Sequence, residues 1–398
     1  MPQRAATIRN VTKAYRMIKA MSSQGVTWSE DYRFSGRVAL KVVLEESMNN
    51  SIDRHLDDLA WYEEDRRNGS YSRHLLTELG DIELEVPRTR HFSALKVVHT
   101  YARRATHIDR LILSCFVFGV STRKVAEALL PVLGERVSAS TVSRVGKQLD
   151  RVVKAFHRRP LKDQYRVLIL DGVVLCRKSG AGALRRPVLV LLGIRPDGKK
   201  EIIDFRLAHG ESQGAWEAFL NDLYSRGLKG DHTQLVVTDG GQGLLAALPL
   251  VYPHIPLQRC WAHKIRNILD KTKKKDHPLI KRALHRIMNA SNQVKARQAA
   301  GHFVDQWSVL YPRAVRCLKV DLDDLLTFFT FKTPSWWKAI RTTNAIERRF
   351  REVRRRTRPM GVFSDRASIE RILYAVFSYE NKQQGISTPF LVTQNSLR

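Results

Sequence analysis

Val167-Leu168-Ile169-Leu170-Asp171-Gly172 is the stretch on which the reading of this chain turns. Four consecutive apolar residues predict a strand buried on both faces. It delivers one carboxylate, Asp171, at its carboxyl end. The ordinary use of Asp-Gly after a strand is a hairpin turn. The rest of the chain argues for another use, because two further carboxylates stand in comparable settings within a strongly basic protein.

Downstream of this stretch the pattern stays strand-like. Residues 188–194 and 201–207 predict two strands joined by Pro196-Asp197-Gly198-Lys199, and a helix is expected over about 212–226. Residues 235–238 predict a strand ending in Asp239-Gly240-Gly241. A helix over 244–248 stops before Pro249, and a last strand lies near 255–260. Three strands, helix, strand, helix, strand is the element order of a ribonuclease-H-like α/β domain. From His263 to Trp337 the pattern turns helical, without strand alternation. Thr342-Thr343-Asn344 then opens a helix in which Asn344 and Glu347 have the spacing of a capping box, with Arg351 as an i+4 partner for Glu347.

Upstream, residues 29–67 carry apolar positions at helical spacing and break at Asn68-Gly69, a turn signal. Residues 75–77 and 82–86 alternate like a small hairpin around Gly80-Asp81, closed off by Pro87. Residues 108–118 predict a buried helix. Residues 120–129 and 138–145 then predict two short helices, each opened by a Ser/Thr cap, in the outline of a helix-turn-helix. Its second helix would present Ser140, Thr141, Ser143, Arg144 and Lys147 to DNA. The expected organisation is an N-terminal helical region with a small hairpin (1–95), a helix-turn-helix DNA-binding and dimerisation region (96–160), the first part of the ribonuclease-H-like core (161–263), an all-helical insertion (264–335), and the last part of the core with the catalytic glutamate helix (336–398).

The charge balance supports this reading. The 398 residues hold 68 Lys+Arg against 39 Asp+Glu, a formal net charge of +29. Self-repulsion on that scale disfavours a compact state, so a polyanionic partner is the usual reason for it. Residues 348–358 hold seven Arg against one Glu, and Ile346, Phe350 and Val353 alternate with them as the apolar side of an amphipathic helix. On that helix Arg348, Arg351, Arg355 and Arg358 recur at three- and four-residue steps, a row of guanidinium groups suited to phosphates. The basic, acid-free first 29 residues read as an arm that follows nucleic acid. Four scattered cysteines (Cys115, Cys176, Cys260, Cys317) fit a reduced cytoplasmic compartment, and no segment has the apolar length of a membrane span.

Asp171, Asp239 and Glu347 together describe a site of oxygen ligands without His or Cys, which suits a hard cation, Mg²⁺ or Mn²⁺. Two such ions about 4 Å apart are the arrangement for in-line phosphoryl transfer. The stretches 168–172, 237–240, Cys260-Trp261-Ala262-His263 and Thr342-Thr343-Asn344-Ala345-Ile346-Glu347-Arg348 resemble the Mutator-type DDE transposases of bacterial insertion sequences. So do residues 119–123, 140–144 and 354–358, and the likeness runs from about Tyr62 to Phe377.

The resemblance implies a ribonuclease-H-like core interrupted by a helical insertion, with Asp171, Asp239 and Glu347 as the catalytic and metal-binding triad. It implies a nucleoid-associated bacterial enzyme that binds terminal inverted repeats, cleaves the donor strand and joins the 3′-OH to target DNA, by a copying route. A homodimer is expected, since two ends must be held together. Cys260 and His263 are expected beside the catalytic pocket, with a zinc site disfavoured for want of ligands. Trp336 or Trp337 is a candidate to stack on an unpaired base. The competing reading is a non-catalytic, sequence-specific DNA-binding protein, a repressor or domesticated transposase; a glycosidase is disfavoured by the charge.

Overall fold

In a computed structural model the protein is described over residues 16, 28–60, 64–95, 106–117, 120, 122–133, 137–179, 182–357 and 366–386. It forms two compact units, Met1–Lys147 and Gln148–Arg398.

The first unit begins with a long helix, α1 (Trp28–Asp57), followed by a two-stranded antiparallel hairpin of β1 (Arg67–Thr77) and β2 (Gly80–Thr89). Met48 and Ile52 of α1 pack with Leu75, Ile82, Leu84 and Val86 of the hairpin, so the helix covers its apolar face. The hairpin is longer than its alternation predicts. Asn68-Gly69 is not a turn but an irregularity inside β1, with Gly69 at φ +69, and Pro87 sits within β2 opposite Ser70. A two-stranded ribbon has no interior strand, so both features are tolerated at an edge. Three short helices follow: α2 (Thr106–Val117), α3 (Thr122–Leu133) and α4 (Ala139–Lys147), which pack on one another. Ser138 caps α4 by accepting the Thr141 amide at 3.1 Å, as its position in the sequence predicts.

The second unit opens with α5 (Leu149–Arg158) and a five-stranded mixed sheet. Its strands are β3 (Val167–Ser179), β4 (Gly182–Ile194), β5 (Lys200–Leu207), β6 (Leu235–Thr238) and β7 (Leu257–Arg259), in the order β5-β4-β3-β6-β7. The β3–β4 and β4–β5 pairs are antiparallel, whereas β6 and β7 run parallel to β3. Between β5 and β6 lies α6 (Gln213–Ser225), and between β6 and β7 lies α7 (Gln242–Val251), which continues past Pro249. Trp216, Phe219, Leu220, Leu244 and Leu248 from these helices cover one face of the sheet, against Leu168, Leu170, Leu189, Leu191 and Val236.

A helical stretch follows: α8 (Trp261–Leu269), α9 (His277–Met288), α10 (Gln293–Trp307), α11 (Pro312–Val320), α12 (Leu322–Leu326) and α13 (Trp337–Ile340). The buried Gln258 of β7 ties it to the sheet by donating to Leu325 O at 3.0 Å and accepting from Phe328 N at 2.7 Å. The chain then returns to the sheet with α14 (Asn344–Thr357) and α15 (Arg366–Gln383). These pack on the other face, where Phe350 and Phe377 meet edge to face at 5.5 Å and Phe377 meets Phe205 at 5.4 Å. Asn381 of α15 closes the β5 edge: its side chain accepts the Ile202 amide at 2.8 Å and donates to the Ile202 carbonyl at 3.0 Å. β5 is the edge strand of the sheet, so those groups have no further strand to pair with, and Asn381 acts as a one-residue strand.

One expectation is corrected here. Asp171 does not end its strand: β3 continues to Ser179, paired with β4 throughout. The β-branched Val173 and Val174 sustain the strand, and Gly172 is accommodated within it. What ends at Leu170 is the parallel pairing with β6, whose last paired residue is Thr238.

Candidate active site

Leu170 and Thr238 are register partners on neighbouring strands, so the next residues, Asp171 and Asp239, emerge side by side where the parallel pairing stops. Asp171 is 2% exposed, and its carboxyl is pushed up to about 7, first by burial and then by the charge of Asp239. Asp239 turns one carboxylate oxygen onto the Gly241 amide at 3.0 Å. Gly240 makes that turn at φ +89, and a β-carbon there would fall within 2.0 Å of the Arg259 guanidinium. The alternation of β3 sends Asp171 to the sheet face opposite Leu170, which is the face that α14 covers.

Glu347 lies in the first turn of α14. The helix begins at Asn344, so Thr343 stands just before it, and the Thr343 carbonyl accepts the Ile346 amide at 2.9 Å. The capping-box role expected for Asn344 and Glu347 is not what the structure shows, because Asn344 is already the first residue of the helix and the Glu347 carboxylate is engaged by α8. Its Oε1 lies 3.9 Å from His263 Nε2 and 3.8 Å from an Arg266 nitrogen, in place of a partner at Arg351. Ile346, Phe350 and Val353 are fully buried, which fixes the roll of α14 and hence the direction of Glu347.

His263 links the three acids. Its pKa is raised to about 9, first by its hydrogen bond with Cys260 and further by Asp171 and Asp239, against the effect of burial. Cys260 is buried, and its sulfur accepts the Thr343 amide at 3.2 Å, while Thr343 Oγ1 lies 3.4 Å from His263 Nδ1. The Cys260-x-x-His263 pair therefore braces the start of the Glu347 helix against α8. Cys317 is engaged elsewhere, its carbonyl accepting from Lys264 at 3.2 Å. Among the described residues no three His, Cys, Asp or Glu side chains are already gathered as a metal cage.

The two tryptophans are packed. Trp337 donates to the Phe331 carbonyl at 2.9 Å, and Trp336 stacks on Phe331 at 6.0 Å. The Arg166 guanidinium, just before β3, lies 5.9 Å from the Trp336 ring.

Of the arginine row, Arg348, Arg351 and Arg355 are exposed, and Arg355 reaches Glu352 at 3.0 Å; Arg358 lies outside the described residues. Arg356, outside that row, is buried at 3% exposure and pairs with Glu352 at 2.7 Å, while Arg349 pairs with Glu380 at 3.3 Å. In the first unit, Ser140, Arg144 and Lys147 are exposed on α4 and Thr141 is half-buried. Thr141 Oγ1 accepts from Ser138 Oγ at 3.0 Å and from Arg144 at 3.3 Å, which orders that surface within its own helix.

Two residues beside the acids escape the sequence reading. Arg266 is one helical turn beyond His263, a spacing that identifies it once α8 is known. Glu211, just before α6, carries its carboxylate over Gly172 and is pushed up by burial and by Asp239.

Comparison with known proteins assigns this arrangement to a family. The sequence model described as "Transposase, Mutator family" matches residues 10–385. The chain is 32% identical over 352 residues to the transposase for insertion sequence element IS905 of Lactococcus lactis, covering 86% of this chain and 88% of that protein. It is 33% identical over 349 residues to the transposase for ISRM5 of Rhizobium meliloti, covering 87% of each. With the transposase for IS256 in transposon Tn4001 of Staphylococcus aureus it shares 33% identity over 316 residues, 78% of this chain and 80% of that protein. Since the match takes in both units and every acid of the site, the chain belongs to the Mutator family of transposases.

Proposed function

We propose that this protein is a DNA transposase that binds the terminal inverted repeats of its insertion sequence, cleaves one strand at each end and joins the freed 3′-OH to target DNA. The observation that carries the reading is the adjacency of Asp171 and Asp239 on neighbouring strands, with Glu347, on a helix from the far side of the insertion, near enough for its charge to act on Asp171. The strand order, with two antiparallel and two parallel pairings, supports a ribonuclease-H-like core.

The residues fit a hard divalent cation. Their donors are carboxylate oxygens alone, and a buried Asp171 whose carboxyl is pushed up by burial and a neighbouring acid is a place where added positive charge is favourable. Asp171, Asp239 and Glu347 would hold Mg²⁺ or Mn²⁺, as two ions. When bound, such ions neutralise phosphoryl oxygens and activate the attacking oxygen in line with the leaving one. The protein's own contribution is placement. Thr343, Cys260 and His263 fix the start of α14, and the exposed Arg348 and Arg351 would hold the phosphates flanking the scissile bond. Arg266, 60% exposed at its side chain, is free to trade Glu347 for a substrate phosphate.

In the first unit α3 and α4 would serve as a helix-turn-helix, with Ser140, Thr141, Arg144 and Lys147 toward the groove. A homodimer would hold the two ends. The test is incubation with Mg²⁺ and DNA carrying the sequences that flank the gene. Strand-specific nicks at the ends are expected, lost in Asp171→Asn, Asp239→Asn and Glu347→Gln while end binding persists. Absence of nicks from the unaltered protein, or undiminished nicking by all three variants, overturns the reading.

A further inference from the structure

Glu211 ends the connection between β5 and α6, and the triad leaves it without a role. Its carboxylate fills the space that a side chain on Gly172 would need. A β-carbon there would lie 2.5 Å from Glu211 Cδ and 2.7 Å from both carboxylate oxygens. The backbone is held as closely: a β-carbon on Gly243 would be 2.2 Å from the Glu211 carbonyl oxygen. Gly172 directly follows Asp171, and Gly243 stands at the start of α7, just beyond Asp239. The two segments that carry Asp171 and Asp239 therefore each give up a side chain where Glu211 passes.

An acid just before a helix has an ordinary use, since negative charge there complements the helix dipole. Ser212 already caps α6 by accepting the Ala215 amide at 3.3 Å. A dipole role also needs only a carboxylate near the helix start, free to turn toward water. Here it lies over the backbone of β3, half-buried, close enough to Asp239 for the two charges to oppose each other. Among the described residues its side chain has no cation or hydrogen-bond donor as partner. Glu347 approaches the Asp171–Asp239 pair from the sheet face that α14 covers, and Glu211 from the face that α6 covers.

We propose that Glu211 is a fourth acid of the site, a cation-binding residue that shares a divalent metal ion with Asp239 from the α6 side of the sheet. This rests on the metal-dependent reading above and extends it: Glu347 and Glu211 flank the central pair from opposite faces, one for each ion.

The test uses the full chain and Mn²⁺ alone, with binding followed by electron paramagnetic resonance and thermal unfolding measured with and without the metal. Glu211→Gln is expected to lose one Mn²⁺, or to weaken it by about tenfold or more. It is also expected to unfold at a higher temperature than the unaltered protein when no metal is present, because a like-charge contact has been removed. A helix-dipole role predicts the opposite sign, a lower unfolding temperature, together with unaltered Mn²⁺ binding, and that result overturns the proposal. Glu211→Asp, which keeps the charge but shortens its reach, should fall between. Asp171→Asn separates the two levels of inference. If it loses Mn²⁺ while Glu211→Gln binds normally, only the role of Glu211 falls; if neither changes Mn²⁺ binding, the metal site falls with it.

Discussion

Replacing Asp204 with Ala should destabilise the second unit severely, and the structure shows why. Asp204 is 1% exposed in β5. Its carboxylate bonds His157 Nδ1 at 2.7 Å, Arg226 at 2.5 Å and the Phe205 amide at 2.7 Å. Burial pushes its carboxyl up, but the bond to His157 and the charges of His157 and Arg226 outweigh that and hold it below the ordinary range. Arg226 is itself 9% exposed at its side chain and would be left with the half-exposed Asp222 at 3.1 Å. Removing one partner of such a buried pair costs about 3–5 kcal/mol, because the other charge stays desolvated. The residual bond to Asp222 argues for the lower end, ~3 kcal/mol, which at about 2–4 °C per kcal/mol is a fall on the order of 10 °C in Tm. Thermal unfolding read through the buried Trp216 and Trp261 measures it. The pH dependence has a definite sign. A depressed carboxylate pKa contributes stability above the unfolded value of about 4 and loses it as pH falls through the folded value. The deficit of the variant should therefore be full at pH 7 and shrink below about pH 4. A Tm within about 2 °C of the unaltered protein at pH 7 would refute the argument.

Three further outcomes follow from particular interactions. Asn381→Leu strips the Ile202 amide and carbonyl of their partners in a buried setting, at about 1–3 kcal/mol for each unsatisfied group; a urea midpoint equal to that of the unaltered protein would show that the edge repairs itself. Gly240→Ala forces a side chain into φ +89 and against the Arg259 guanidinium, which is held by Asp321 at 3.3 Å. It should cost about 1–3 kcal/mol and slow end nicking as Asp239 shifts, and a variant with unchanged stability and rate counts against the tight turn. Substituting Arg348 and Arg351 together by Ala should flatten the log–log salt dependence of DNA binding by about 2 units, close to one for each phosphate no longer neutralised; an unaltered slope makes them surface charges only.

The parts of the fold that the sequence made plain are those in which local pattern and tertiary role coincide. The run 167–170 is apolar because both faces of the sheet are covered, and Ser138 caps its helix where its position predicts. Pattern failed where a tertiary partner overrides a local signal. Asp171-Gly172 reads as the end of a strand and Asn68-Gly69 as a turn, yet each lies inside a strand, the first because β4 pairs through it and the second because a two-stranded ribbon tolerates a bulge. Asn344 and Glu347 carry a capping-box spacing, but the pull of His263 and Arg266 on Glu347 comes from a helix some eighty residues earlier, which no local window contains.

The acids of the site divide along the same line. Asp171 and Asp239 announce themselves because each follows a strand-like apolar run and precedes a glycine, so their neighbours in sequence are also what aims them. Glu347 is recognisable as part of a longer motif, although its partners are not. Glu211 has neither advantage: Glu-Ser ahead of a helix is an ordinary cap, and nothing within ten residues shows that its carboxylate will lie over Gly172. The signal that points to it is carried by other segments, as the absence of side chains at Gly172 and Gly243. A glycine inside a strand weakens it and marks a close approach by some other group. Gly172 sits in the middle of the thirteen-residue β3, so the question its presence poses is what occupies the missing side chain's place, and the structure answers with a carboxylate.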